Sequence, residues 1–431
     1  MKLLNAVILG LAVFSLTFQD VNASCDLQIN SPKPLILTHF GSKHLVSETD
    51  STLKRDSYET VDLYCANGFQ THSNNYGTYE HKTNHVKLTC DSSTFWFESA
   101  ISSKIYIYQL QCLGNQVSNM YESRMSMPDC NEYMSLVVGQ NFGNLGSLKT
   151  AAMCYDIVKQ QLKYVSYTAY PQKIKVLEKT QAGQLNELGL DIGVTFSKSL
   201  FKPFSDSIIN EAFSKDKQLK ALFGQETFEY TNLIQDEAFN RDLSAFKEML
   251  SIVWLRALRT GNWRHLLNAL QTASINAKYD VSVGVSGVVG LPMLHACNES
   301  RTLTIELDSG DTLSVPAHIW AHVRALEPTV NGTDEFVVVA HNSPFFTSNE
   351  REGLCKSICH EVPWLKNSLF SKLQHYPVYG LVQCCRVEDV QEKLENFPKR
   401  IEPPQLLPWL GEPAEELETT TDSNVNEDIE N

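Results

Sequence analysis

Residues 228–269 read FEYTNLIQDEAFNRDLSAFKEMLSIVWLRALRTGNWRHLLNA, and the fold turns on how this stretch is divided. Through its middle, apolar residues recur at three- and four-residue steps: Phe239, Leu243, Phe246, Leu250, Val253 and Trp254 form one stripe. That period is the signature of a helix with one face on a core, so a long amphipathic helix is predicted downstream of Asn240. Gly261 breaks the run after Thr260. Trp263, Leu266, Leu267 and Leu270 then open a second periodic segment. From Met249 to Asn268 the chain carries Arg256, Arg259, Arg264 and His265 and no acidic residue.

Outward from this stretch the pattern changes. Leu162–Tyr170 reads as a strand, 180–193 is rich in turn formers, and Ile208, Ala212 and Leu219 have helical spacing. Tyr279–Gly287 alternates valine with small residues, as a closely packed central strand does. Further strands are predicted at Leu303–Leu307, Ile319–Leu326 and Glu335–His341. Strands flanking a helical insertion give an α+β domain over 151–396, opening near Cys154. Residues 24–150 form a β-rich, cysteine-containing N-terminal domain, with strands at His85–Cys90, Thr94–Phe97 and Lys104–Cys112. There Tyr106 and Tyr108 suit base stacking, but cross-strand packing is the commoner use of such residues.

Met1–Ala23 has the form of a secretory signal: Lys2, an apolar run from Leu3 to Phe18, and Val21-Asn22-Ala23 as a cleavage site. The apolar run falls short of the roughly 20 residues that span a bilayer. An exported product is therefore expected, with no membrane partner. In that compartment 11 cysteines imply disulfides. Adjacent Cys384 and Cys385 are badly placed to bridge each other, so each should pair with Cys355 or Cys359. Cys297 is then the odd thiol. The competing reading, a zinc site built from those four cysteines with His360 nearby, suits a reducing compartment better. Asn298-Glu299-Ser300 and Asn331-Gly332-Thr333 are glycosylation sequons. From 397 onward a proline-rich linker leads to Gly411–Asn431, which carries 8 acidic residues and no basic one and is expected to be disordered.

Gly261-Asn262-Trp263 behind an apolar segment resembles the DNA/RNA non-specific endonuclease family, whose site is a ββα-metal (His-Me) finger. Val315-Pro316 with Trp320, Val337–Pro344, and the Cys355/Cys359 and Cys384-Cys385 pieces resemble insect members in order and spacing. Together they cover about residues 150–390. In character the chain is similar to the Tsal proteins of tsetse saliva, which also look like nucleases with an altered site. The family's motif carries Arg-Gly-His; anchored on Leu233, Asp236 and Phe239, those positions here are Tyr230, Thr231 and Asn232. The family's metal-holding Asn falls near Leu250, and its Glu on Leu267. Asn232 has no group that titrates near neutrality and so cannot act as the general base. Leucine offers no oxygen to a hydrated Mg²⁺.

The resemblance therefore implies a secreted, salivary, nucleic-acid-binding protein with little or no hydrolysis and no cofactor, Mg²⁺ being required only if nuclease activity remains. Net charge opposes this, at −14 for the chain and −14 + 8 = −6 without the acidic tail. The expected answer is a local patch in which Arg256, Arg259, Arg264 and His265 line one phosphate cleft of DNA or RNA, largely without regard to base sequence. The bland alternative makes the arginines a solvated helix face with stems over Trp254 and Trp263. Asp236 could serve as a metal ligand, but an acidic residue in a helix's first turn more often complements the dipole; His265 could serve as a substitute base, but a surface or packing histidine is the commoner case. Two other functions compete: an active Mg²⁺-dependent nuclease, and an exported binder of a host protein or small ligand.

Overall fold

Nine strands form the sheet that organises the larger part of the molecule. In spatial order they are Ile192–Gly193, Asn119–Glu122, Met134–Asn141, Ser147–Asp156, Gln161–Thr168, Tyr279–Ser286, His318–Ala325, Glu335–His341 and Val382–Cys385. Every neighbouring pair is antiparallel. The computed structural model describes residues 24–398 except 46–49, 74–76, 99–103, 172–173, 179–180, 197–205, 224–226, 293–300, 307–311, 328–333 and 346–353. The signal segment, Cys297, Asn298, Asn331 and the acidic tail lie outside the described residues.

Both faces of this sheet are buried, which is why its strands read as near-continuous apolar runs. On one face Leu136, Val165, Val281, Ala321 and Val338 meet the helices Asp206–Lys215 and Arg264–Ala273. On the other, Val137, Tyr164, Trp320 and Val339 lie under Leu188, Val390 and Phe397. Tyr279–Ser286 occupies an interior position, as its small residues predict. A Cβ at Gly284 would come within 2.3 Å of Trp320 Cζ2.

The boundary expected near residue 150 falls inside this sheet. Leu136, Val137 and Val138 are fully buried in it, so the sheet begins at Asn119. The turn-rich composition between 113 and 133 hid the short first strand.

The N-terminal unit consists of two five-stranded sheets around Leu27, Leu53, Phe69, Leu88, Phe95 and Leu110. Cys25–Cys90 and Cys65–Cys112 link the two sheets, Cys130–Cys154 staples the large sheet, and Cys355–Cys385 and Cys359–Cys384 hold the C-terminal strand. The last two replace the zinc alternative, and His360 is an exposed residue beside Glu361. Tyr106 lies across from Trp96, over which Lys104 sits at 4.2 Å. The unit meets the larger part through Leu35, Leu37, Tyr64, Phe142, Leu148 and Leu177. Among the described residues, no helix is long and apolar enough to cross a membrane.

The long amphipathic helix does not form. Short helical turns occupy 237–250, and Ser251–Leu255 is a strand, paired antiparallel with Phe228–Asn232. The stripe misled because Leu250, Ile252, Val253, Trp254 and Leu255 are all buried. A short run that is apolar on every side carries no period that separates helix from strand. Its β-branched and aromatic content decides for the strand. The chain therefore runs strand, strand, helix through this region.

Candidate functional site

Asn342 fastens the hairpin to the large sheet. It is fully buried, its Oδ1 accepts from Leu255 N–H at 2.6 Å, and its Nδ2 donates to the carbonyls of Val253 and Pro316, each at 2.9 Å. At the other strand of the hairpin, Trp254 Nε1 donates to Asn232 O at 3.2 Å. The Trp254 and Trp263 rings meet edge to face at 5.4 Å, coupling the hairpin to the helix that follows.

Gly261 permits that coupling. A Cβ there would lie 2.5 Å from Tyr379 O, so only glycine admits the C-terminal loop so close. Asn262, fully buried beside it, donates through Nδ2 to Leu373 O and Gly380 O. The Gly-Asn-Trp motif is thus a packing joint.

Between hairpin and helix lies a cleft of about 470 Å³. Thr231, Asn232 and Gln235 form one wall; Arg259, Arg264, Leu267, Asn268 and Gln271 form the other. Asn232 and Leu267 are thus brought together, as predicted positions of one site. Leu250 is not among them: it is fully buried in the core. The residue that faces Asn232 and Leu267 instead is Arg259, which counting along the chain by apolar period did not single out for that place. Tyr230 packs against the core, and burial pushes its phenol well above the usual range.

The arginines do not act as one group. Arg259 donates from Nε and, at 3.0 Å, from Nη2 to the Glu229 carboxylate, and from Nη1 to Gln235 Oε1 at 2.9 Å. Arg256 Nε lies 3.6 Å from the same carboxylate and does not line the cleft. Glu229, a buried residue that sequence reasoning missed, therefore neutralises much of the patch. Arg264 is exposed at the rim and makes no hydrogen bond or ion pair with another described residue. His265 is half-buried, near the Tyr379 ring, with a pKa held below its usual value by burial and then by Arg264. It does not line the cleft.

The positions that the family resemblance assigns to the metal do not fit a hydrated Mg²⁺. Asn232 Oδ1 accepts from Ile234 N–H at 2.9 Å, Leu267 has no donor atom, and a guanidinium already holds Glu229. Asp236 caps the following turn, its Oδ1 accepting from Ala238 N–H at 3.0 Å. The group of described residues able to gather round a metal is elsewhere, His44, Asp56 and Glu59 in the N-terminal unit, where Lys43 Nζ already lies 2.8 Å from Asp56.

No protein-family model and no curated protein matches the chain. Among solved structures it is similar to a chain of the EndoG/EndoGI complex, a structure that describes the mechanism of EndoG inhibition. The TM-score is 0.26 at 11% identity, over 45% of this chain and 72% of that one. A likeness of that size carries no argument about function.

Proposed function

We propose that this chain is an exported protein on a ββα nuclease scaffold, and that its cleft binds nucleic acid without hydrolysing it. The observation that carries the reading is Arg264, an unengaged guanidinium at the mouth of a 470 Å³ cleft in which Asn232 and Leu267 stand where the family resemblance would put a general base and a metal ligand. The strand–strand–helix order around that cleft supports the ββα assignment, with Asn232 and Leu267 where the family places its His and Glu. Five disulfides among the described residues support export.

Hydrolysis of a phosphodiester needs a group that takes a proton from water and a cation that stabilises the developing charge. At this cleft an amide and a leucine occupy those places, so substrate would be held and left intact. Arg264 supplies a phosphate contact from the rim. Arg259 supplies a fixed positive charge deeper in, and keeps two of its five N–H donors after serving Glu229 and Gln235.

The test is a titration of the purified protein against labelled single-stranded DNA and RNA at two salt concentrations, with plasmid integrity followed with and without EDTA. Binding that weakens with salt and on Arg264→Ala, with intact plasmid in both arms, is the expected result. Turnover that EDTA abolishes would overturn the proposal, as would no binding at low salt.

A further inference from the structure

The cleft's hydrogen-bonding capacity is mostly neutral. Glu229 balances Arg259, and Glu237 adds a further carboxylate to the lining. A groove that tracks a phosphate backbone concentrates positive charge instead. What this cleft presents in quantity is carboxamide: Asn232, Gln235, Asn240, Asn268 and Gln271 all line it, and no aromatic side chain does. Gln235 is spent on Arg259 and on Asn232 O. The side chains of Asn240, Asn268 and Gln271 make no hydrogen bond with another described residue.

Gln271 is the telling member. Its residue is only 8% exposed, on the apolar flank of the helix between Leu267 and Ser274, and its amide meets the solvent of the cleft with no partner among the described residues. Here the amide faces a space large enough for one nucleotide, within the range of small-molecule sites.

We infer that the cleft reads a nucleobase: Gln271 and Asn268 pair with the polar edge of one unstacked base while Arg264 holds the adjoining phosphate. This rests on the nucleic-acid reading above and narrows it. A carboxamide carries a donor and an acceptor side by side, the arrangement that matches a base edge two bonds at a time. Only a base swung out of a stack can enter, so the ligand is single-stranded. The backbone attraction stays indifferent to sequence; the cleft adds a preference on top of it.

Binding of the purified protein to 12-nucleotide homopolymers of the four bases, by anisotropy at one fixed salt concentration, tests this. The expected result is at least an about fivefold spread in Kd between the best and worst base, the low end for one bidentate pair. Asn268→Ala, at an exposed position, and Gln271→Leu should each shrink the spread. Arg264→Ala should weaken all four alike. A spread under about twofold, or one that Asn268→Ala and Gln271→Leu leave unchanged, overturns the inference while the binding proposal stands. Absence of binding to every homopolymer at low salt overturns both.

Discussion

Glu229→Gln should make the protein bind nucleic acid more tightly while making it less stable, a pair of opposite signs that little else would produce. In the folded chain the Glu229 carboxylate holds Arg259 through two hydrogen bonds and lies 3.6 Å from Arg256 Nε. The amide can still accept one bond but returns no charge. Removing a carboxylate about 8 Å from a bound phosphate, at an effective dielectric constant of about 40, gains about 1 kcal/mol, or about fivefold in Kd. If Arg259 or Arg256 then reaches a phosphate, the slope of log K against log salt steepens by about 0.7 to 0.9 for each. Against that, loss of a charge-assisted pair on a buried carboxylate costs about 1–3 kcal/mol of stability, toward the low end because the Arg259 side chain keeps 27% of its surface in water. Anisotropy titrations at several salt concentrations, beside urea unfolding of both proteins, read the two effects. An unchanged Kd and slope in a folded variant would show that the arginines do not face the ligand, and the cleft assignment would fail.

Three further outcomes follow from the same geometry. Asn342→Ala strips the partner from a buried Leu255 N–H and from two carbonyls, so unfolding by urea should show a loss of about 3–5 kcal/mol; a loss under about 1 would mean the hairpin is held by other contacts. Gly261→Ala places a methyl 2.5 Å from Tyr379 O and should cost about 2–3 kcal/mol by thermal unfolding, whereas a neutral result would place that loop elsewhere. His318 has a pKa pushed down to about 4, by burial first and by His341 second. Its unfolded value is about 6.5, so the unfolded chain binds the proton first as pH falls, and stability should drop from about pH 6.5 toward 4 by at most about 3 kcal/mol. Urea midpoints at pH 7 and 5 should differ less in His318→Gln than in the unaltered protein, and an equal difference would remove His318 as the cause.

How much of this was legible in advance depended on whether a residue's role was local. The strands 279–286, 318–325 and 335–341 follow from alternation and β-branched content, because each face of the sheet imposes a period of two. That Cys384 and Cys385 take separate partners, drawn from Cys355 and Cys359, followed from bond geometry, whereas which pairs with which was legible only in the fold. The hairpin strand Ser251–Leu255 could not be read that way, since burial on all sides erases the period and its partner sits some 20 residues upstream. For the same reason only part of the cleft lining was legible in the sequence. Asn232 and Leu267 were placed by motif, but the residue facing them had to be found by pairing the strands, which removes Leu250 and brings in Arg259. Glu229 escaped because its partners are 27 and 30 positions away.

The motif that gives the chain its resemblance, Gly261-Asn262-Trp263, is the part of the site furthest from chemistry. Gly261 admits the Tyr379 backbone, Asn262 ties Leu373 and Gly380, and Trp263 packs on Trp254. Each of these contacts is needed to join hairpin, helix and C-terminal loop whether or not a phosphodiester is ever cut. The motif therefore accounts for the shape of the cleft, and says nothing about what the cleft does. Function has to be read from the side chains that the joint holds open to solvent. There the cleft presents carboxamides around an unengaged guanidinium, and a carboxamide can hold and distinguish a ligand by offering a donor and an acceptor together.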